Sequence, residues 1–249
     1  MTKIVHQGNV IEIKVPTNLA PSCVCSNIRI GSKHDGGYEV SKSSIQNSEF
    51  LLSLGMNEDW RFEEEFCRLK KVPVHLYDHT VTRFWLFENA LKNTVKTFLR
   101  RYHRTNLKLS LKAFFGYKKY VSQINVDHFL EKIVRVAVRS NETSLEQAIK
   151  RTGSSKIFLK MDIEGGEIPV LRQIVLSEIK FDFLAVELDF LSLIPFLSLN
   201  KRIRHFYIVW KVMLGLERIG YFLCKTENFN FCWIFREVEM KSNGKQSKC

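Results

Sequence analysis

Apolar positions along the chain fall into short blocks whose spacing switches between the period of a strand and that of a helix. Residues 10–15 (Val-Ile-Glu-Ile-Lys-Val) alternate and predict a strand ended by Pro16. Residues 27–30 form a short apolar run, followed by a loop at 31–38 whose adjacent Gly36 and Gly37 permit a tight turn. The compact run 50–54 stops at Gly55, and residues 60–70 then turn helical, with Phe62, Phe66 and Leu69 on one face and Asn57 or Asp59 as N-cap. A second strand, 72–77, ends in Asp78, and an amphipathic helix follows over 84–102. Leu107, Leu109, Leu111 and Ala113 alternate like a strand, whereas 129–136 fits either element; about 103–131 reads as an insertion.

Beyond it the pattern is regular: a helix at 144–150, a strand at 156–161, a helix from Glu167 or Ile168 to 179 with Pro169 in its first turn, and a strand at 183–188. A helix at 202–219, closed by Gly220, leads to two strands, 221–224 and 231–235, that read as a closing antiparallel pair. Residues 241–249 read as a flexible polar tail. Alternating strands and helices predict an α/β fold, a mostly parallel sheet covered on both faces, in a single domain spanning 1–249. Such sheets bind ligands beyond the carboxyl ends of their strands, where Gly55, Asp78 and Asp162 fall.

The segment 51–62 joins an apolar strand, a terminal glycine and a helix start, an arrangement that receives an adenosine cofactor at Gly55, Met56 and Asn57. Glu58, Asp59, Glu63, Glu64 and Glu65 would repel a pyrophosphate, so a cofactor with a positive sulfonium and an amino-acid end suits the site better than a dinucleotide. Asp78, about twenty residues on, has the position of a carboxylate that accepts ribose hydroxyls, with His79 beside it; a strand-end Asp also serves as a cap. The third motif, Lys160-Met161-Asp162-Ile163-Glu164-Gly165-Gly166-Glu167, sets Lys160, Asp162 and Glu164 on one face of an extended backbone. Crowded carboxylates raise at least one pKa there and Lys160 lowers it again, so Asp162 or Glu164 is a candidate base, with His34 or His79 behind them. Oxygen ligands would suit Mg²⁺, and helix capping is the bland alternative for the acids. The loop with His34, Asp35, Gly36 and Tyr38 is equally a lid over the cofactor or a surface hairpin.

These motifs resemble the FkbM family of methyltransferases. Residues 157–171 resemble its Lys-x-Asp-x-Glu-Gly-x-Glu signature, preceded by a Ser-Leu-Glu helix at 144–149. The Asp-Gly-Gly-Tyr segment at 35–38, residues 52–66, the His-x-Tyr-Asp-His-Thr segment at 75–80 and Val186–Asp189 resemble further family segments, and the likeness spans about 28–236. Asn57 stands where many relatives carry glycine or another small residue. The resemblance implies a Rossmann-like class I methyltransferase fold using S-adenosyl-L-methionine. It implies methyl transfer to a hydroxyl, commonly of a sugar in a glycan, polysaccharide or related metabolite. Gly55 and Asp78 then hold cofactor, while Asp162, Glu164 and Glu167 face or support the transfer site.

Charge adds a second theme. The net charge is +12, and between Arg83 and Tyr120 ten Lys or Arg residues stand against the single acid Glu88. Such a stretch attracts polyanions, and a non-catalytic polyanion-binding module is the alternative reading. An anionic membrane surface fits better than nucleic acid, because Tyr117 and Tyr120 are the only hint of a base-stacking motif. Six cysteines without Cys-x-x-Cys spacing, no export signal and no apolar run of spanning length predict free thiols and a cytoplasmic protein, peripheral at the inner face of a membrane.

Overall fold

The computed structural model describes residues 2–6, 9–13, 27–32, 37–99, 104–163, 165–188, 199–227 and 230–235. In chain order the first elements are β1 (Thr2–His6), β2 (Asn9–Ile13), β3 (Asn27–Gly31), β4 (Gly37–Ser41), α1 (Lys42–Asn47), β5 (Phe50–Leu54), α2 (Arg61–Leu69), β6 (Val74–Tyr77), α3 (Arg83–Phe98) and α4 (Arg104–Val121). There follow β7 (Val126–Phe129), β8 (Lys132–Val134), β9 (Glu142–Ser144), α5 (Leu145–Thr152), β10 (Ile157–Met161), α6 (Glu167–Leu176), β11 (Phe183–Glu187), α7 (Leu199–Arg218), β12 (Tyr221–Glu227) and β13 (Asn230–Phe235).

Seven strands make the main sheet in the order β12-β13-β11-β10-β5-β6-β7. The pairs among β11, β10, β5, β6 and β7 are parallel, while β13 runs antiparallel to both β11 and β12. This is the Rossmann-like, doubly wound arrangement with a closing antiparallel pair that the pattern and the resemblance predict. Strand order reverses across β5 and β10, opening a crevice at their carboxyl ends.

Period-two alternation divides the core between the two faces. Leu52, Leu54, Leu159, Met161, Leu184 and Val186 pack on the face covered by α5, α6 and α7. Leu51, Phe158, Phe183, Ala185, Val74 and Leu76 pack on the other, with Phe62 and Phe66 of α2, Ala113 and Tyr120 of α4, and the β3–β4 hairpin. Ser53 and Lys160 alternate onto this second face too, and both are buried. Helix α5 starts with a capping box, Ser144 Oγ accepting from the Gln147 N–H while Gln147 Oε1 accepts from the Ser144 N–H at 2.9 Å.

Several expectations change. The described part of the 10–15 alternation, residues 10–13, lies in β2, which pairs with β1 in a separate hairpin. Helix α2 begins after Trp60 with no side-chain cap; Asp59 instead accepts from Arg61, and Asn57 Oδ1 from the Glu58 N–H. The strand-like leucines at 107–111 lie in α4, because Ser110, Ala113 and Tyr120 bury at helical spacing and Tyr120 stacks on Trp60 at 5.2 Å. The expected insertion over 103–131 also contains β7, an edge strand of the main sheet, in register with β6. No helix among the described residues is long and apolar enough to cross a membrane. Cys67, Cys224 and Cys232 are free thiols.

Candidate functional site

Parallel register aligns the three strand ends picked out by sequence. Met161 pairs with Leu54 and Leu54 with Tyr77, so Asp162, Gly55 and Asp78 follow side by side at the carboxyl edge. The row is locked by main-chain bonds: Asp162 N–H to Leu54 O at 2.8 Å and Gly55 N–H to Tyr77 O at 3.0 Å. All three residues line one cavity of about 450 Å³, together with Asn57, His79 and Thr80 from the loops above, Trp85 from the first turn of α3, and Glu131, Lys132 and Ile133 beyond β7. That volume is in the range of small-molecule sites.

Gly55 has φ +83°, and a Cβ there would fall 1.6 Å from the carbonyl oxygen of Asp162. The glycine is therefore required by the crossing of two main chains, and not only by the approach of a ligand as the sequence suggests. Asn57 has φ +52°, a left-handed conformation that asparagine tolerates better than most residues, which explains asparagine at this place.

The Asp78 carboxylate organises the loops around the cavity. Oδ2 accepts from the N–H groups of Met56 (3.0 Å) and Asn57 (3.2 Å), while Oδ1 accepts from Thr80 N–H (2.9 Å), Thr80 Oγ1 (2.6 Å) and Val81 N–H (3.2 Å). Burial pushes this carboxyl up, but the donors outweigh it and hold the group below its ordinary value. Met56 contributes through its N–H alone, its side chain being in the core beneath.

Lys160 lies under the cavity and not in its wall. Its side chain is 3% exposed, and Nζ donates to Gly55 O at 2.7 Å while standing 3.7 Å from Glu63 Oε1 and 3.8 Å from Asp162 Oδ2. Burial pulls the ammonium pKa down, yet the carboxylates of Glu63 and Asp162 outweigh burial and keep it charged. Glu63 is fully buried on α2, accepts from Ser53 Oγ at 2.5 Å and has its carboxyl raised by burial against the pull of Lys160. Asp162 differs: its side chain is 24% exposed and faces the cavity. Glu167 supports the turn, its carboxylate accepting from the N–H groups of Ile163 and Gly165. Its carboxyl is raised, by burial first, with the Asp162 charge the least of the causes, whereas the sequence pattern points to crowding of acids. Glu164, His34, Asp35 and Gly36 lie outside the described residues. Tyr38, expected at a loop or lid, is buried at the start of β4 with its hydroxyl donating to Glu187 Oε2 at 3.3 Å.

Sequence reasoning missed the far wall. Arg151 of α5 donates to Glu131 at 2.6 Å and to the Tyr77 hydroxyl at 3.5 Å, and the Tyr77 ring stacks on Phe129 at 4.8 Å. Position next to Asp78 could have flagged Tyr77; nothing in the spacing flags Glu131, Trp85 or Ile133. Among the described residues no group of three His, Cys, Asp or Glu side chains could hold a metal ion.

His128 of β7 ties this wall to Asp78: Nε2 is 3.2 Å from Asp78 O and Nδ1 is 2.8 Å from the Tyr117 hydroxyl. A neutral ring donates from Nε2 and accepts at Nδ1, so one tautomer satisfies both. Burial lowers the pKa of His128 and also that of His75, whose ring packs edge-on to Phe50 and Phe129. As pH falls through about 6.5 the unfolded chain binds these protons before the folded one does, so stability is full above that pH and declines below it. The urea midpoint should thus be lower at pH 5.5 than at pH 7.5, and His75→Phe should reduce the difference; an unchanged difference would remove His75 from the account.

Fold and site together define a doubly wound α/β protein with a small-molecule cavity at the carboxyl edge of its central strands. No protein-family model matches the chain, and no curated protein matches it. Among solved structures, it is similar to the fibrillarin pre-rRNA processing protein of Methanococcus jannaschii at 10% identity, covering 94% of this chain and 88% of that one, with a TM-score of 0.42. It is also similar to the Podospora anserina methyltransferase PaMTH1, solved with bound SAH, at 13% identity over 78% of this chain and 74% of that one, with a TM-score of 0.36.

Proposed function

We propose that the protein is an S-adenosylmethionine-dependent methyltransferase of the FkbM type that O-methylates a sugar hydroxyl of a glycan, polysaccharide or related metabolite. The observation that carries the reading is the alignment of Gly55, Asp78 and Asp162 along one cavity at the carboxyl edge of a doubly wound, mostly parallel sheet. The cavity walls suit this cofactor in charge and surface. Asp162 and Asp78 supply negative charge toward the cofactor, Glu131 being paired with Arg151, and Trp85, Ile133 and Tyr77 supply apolar surface for a purine. Asp78 imposes a condition. A carboxylate has about four lone-pair sites, and five donors already approach it. Ribose hydroxyls would displace the longest of these bonds, those from Asn57 and Val81.

The bound cofactor supplies an electrophilic methyl group on sulfur. An acceptor hydroxyl that received this methyl would exchange the S–CH₃ bond for an O–CH₃ bond and would have to give up its proton. Asp162, facing the cavity above a charged Lys160, is the described carboxylate suited to take that proton, and Glu164 is the second candidate. Lys160 positions the site through Gly55 O and does not touch the acceptor. The remaining contribution is orientation of the hydroxyl in line with the scissile bond.

Calorimetry should detect binding of S-adenosylmethionine or its demethylated product, and Asp78→Ala should weaken it by about a hundredfold, the worth of two charge-assisted hydrogen bonds. A folded protein that binds neither ligand, with Asp78→Ala behaving identically, would sink the reading. Transfer of labelled methyl across sugar nucleotides, oligosaccharides and RNA would then identify the acceptor.

A further inference from the structure

Helices α3 and α4 pack side by side and antiparallel, Asn93 meeting Ser110 and Phe87 meeting Phe114. Leu86, Ala90 and Asn93 of α3 and Ser110, Ala113 and Tyr120 of α4 face inward. The outer surface is unlike that of an ordinary solvated helix pair. Phe84, Phe87, Leu91, Val95 and Phe98 are all exposed, and their spacing of three and four residues puts them in one stripe of α3. At 1.5 Å per residue the stripe is about 21 Å long. Phe84 is 69% exposed and Phe98 87%. Ring contacts from Phe87 to Phe114 (5.6 Å) and from Phe114 to Phe115 (5.1 Å) carry the apolar surface across to α4, where Phe115 is 74% exposed.

Cations flank this surface. Arg83, Lys92 and Lys96 on α3 and Lys108, Lys112, Lys118 and Lys119 on α4 are exposed, and the single acid of the two helices, Glu88, lies 3.9 Å from Lys92. We propose that the outer face of the α3–α4 pair is a docking surface for an anionic lipid bilayer, the phenylalanine and aliphatic stripe entering the headgroup–acyl boundary and the lysines meeting lipid phosphates and carboxylates. An apolar stripe bordered by lysines is the pattern of a helix lying in a membrane interface. Leu91 and Val95 offer nothing to a nucleic acid, which would use the cations and leave the aliphatic stripe in water. A second copy of the same face would bring seven cations against seven.

The surface is joined to the cavity. Trp85 lines the cavity while its neighbour Phe84 begins the stripe. Glu58, next to the cavity residue Asn57, accepts from Asn89 Nδ2 at 2.7 Å and from Ser110 Oγ at 2.8 Å, fixing both helices to the loop after β5. Docking through this pair holds the cavity beside the lipid surface. Lipid binding stands without the methyltransferase reading; only the delivery of a lipid-borne or surface-bound acceptor rests on it.

The test is sedimentation of the full chain with phosphatidylcholine vesicles, with and without phosphatidylserine, alongside calorimetry of S-adenosylmethionine binding. The protein should sediment with the anionic vesicles only. Phe98→Ser/Phe115→Ser, two exposed positions whose loss leaves the core intact, should weaken that binding by about tenfold or more, since each ring transfers a large apolar area. Lys108→Glu/Lys112→Glu should weaken it as well, while both variants keep the wild-type urea midpoint. Indifference to lipid charge, unchanged binding by the phenylalanine variant, preference for an RNA oligonucleotide over vesicles, or self-association in place of lipid binding would each overturn the proposal. Failure of cofactor binding with vesicle binding intact would count against the proposed function alone.

Discussion

A Gly55→Ala variant is expected to lose about 3 kcal/mol of stability and, with it, binding of S-adenosylmethionine. Two penalties combine. The residue has φ +83°, and the new Cβ would sit 1.6 Å from Asp162 O. Neither main chain is at liberty to retreat, since Gly55 N–H is bonded to Tyr77 O and Asp162 N–H to Leu54 O in the two central strands. Relief must come from parting β5 and β10, which separates Asp162 from Asp78 and deforms the cavity. Gly153 provides the control: it has φ +63° with nothing within 4 Å of an added Cβ, so Gly153→Ala should cost only the conformational part, about 1 kcal/mol. Urea unfolding of the two variants separates steric from torsional cost. Equal losses would refute the close approach at Gly55.

Lys160→Met should be the second severe change, at about 3–5 kcal/mol, because it leaves the buried Glu63 carboxylate without its cation. Glu63 is fully buried, Oε1 is shared with Ser53, and Oε2 has no hydrogen-bond partner. Removing Lys160 also frees Gly55 O from its donor. Adding Glu63→Gln to Lys160→Met takes away the stranded charge and should recover a large part of the loss, whereas two independent sites would give additive penalties. A Lys160→Met protein of wild-type stability would mean that Glu63 carries no charge in the folded state. The outcome also bears on catalysis, since a residue buried beneath the cavity acts on the acceptor only through the groups it positions.

Most strands were legible because one sheet is buried on both faces, so that its members read as apolar runs such as 50–54 and 157–161, each broken by a single polar residue, Ser53 or Lys160. The basic stretch was harder. Leu107, Leu109 and Leu111 imitate a strand, and the residues that settle α4 are Ser110, Ala113 and Tyr120, two of them polar and one small. Their burial depends on Trp60, Asn93 and Glu58, which no local pattern connects to them. The same limit hid the far wall of the cavity, where Tyr77, Glu131 and Arg151 meet from three separate segments. Lys160 was legible as a charge in the signature motif but not as a buried one, because strand alternation gives its face and not what α2 puts opposite it.

The sequence alone determined the alternating α/β architecture, the closing antiparallel pair and the chemical interest of Gly55, Asp78 and Asp162, since these follow from local periodicity and from residues that end strands. Tertiary structure decided what each does. Strand register set the three side by side, and a crossing of main chains made the glycine indispensable. The five donors gathered from two loops turned Asp78 into the organiser of the cavity, and the packing of α2 against β10 placed Lys160 beside the buried Glu63, beneath the cavity and not in its wall. Periodicity is a property of neighbours along the chain, whereas hydrogen-bond saturation, burial and steric approach are set by neighbours across it.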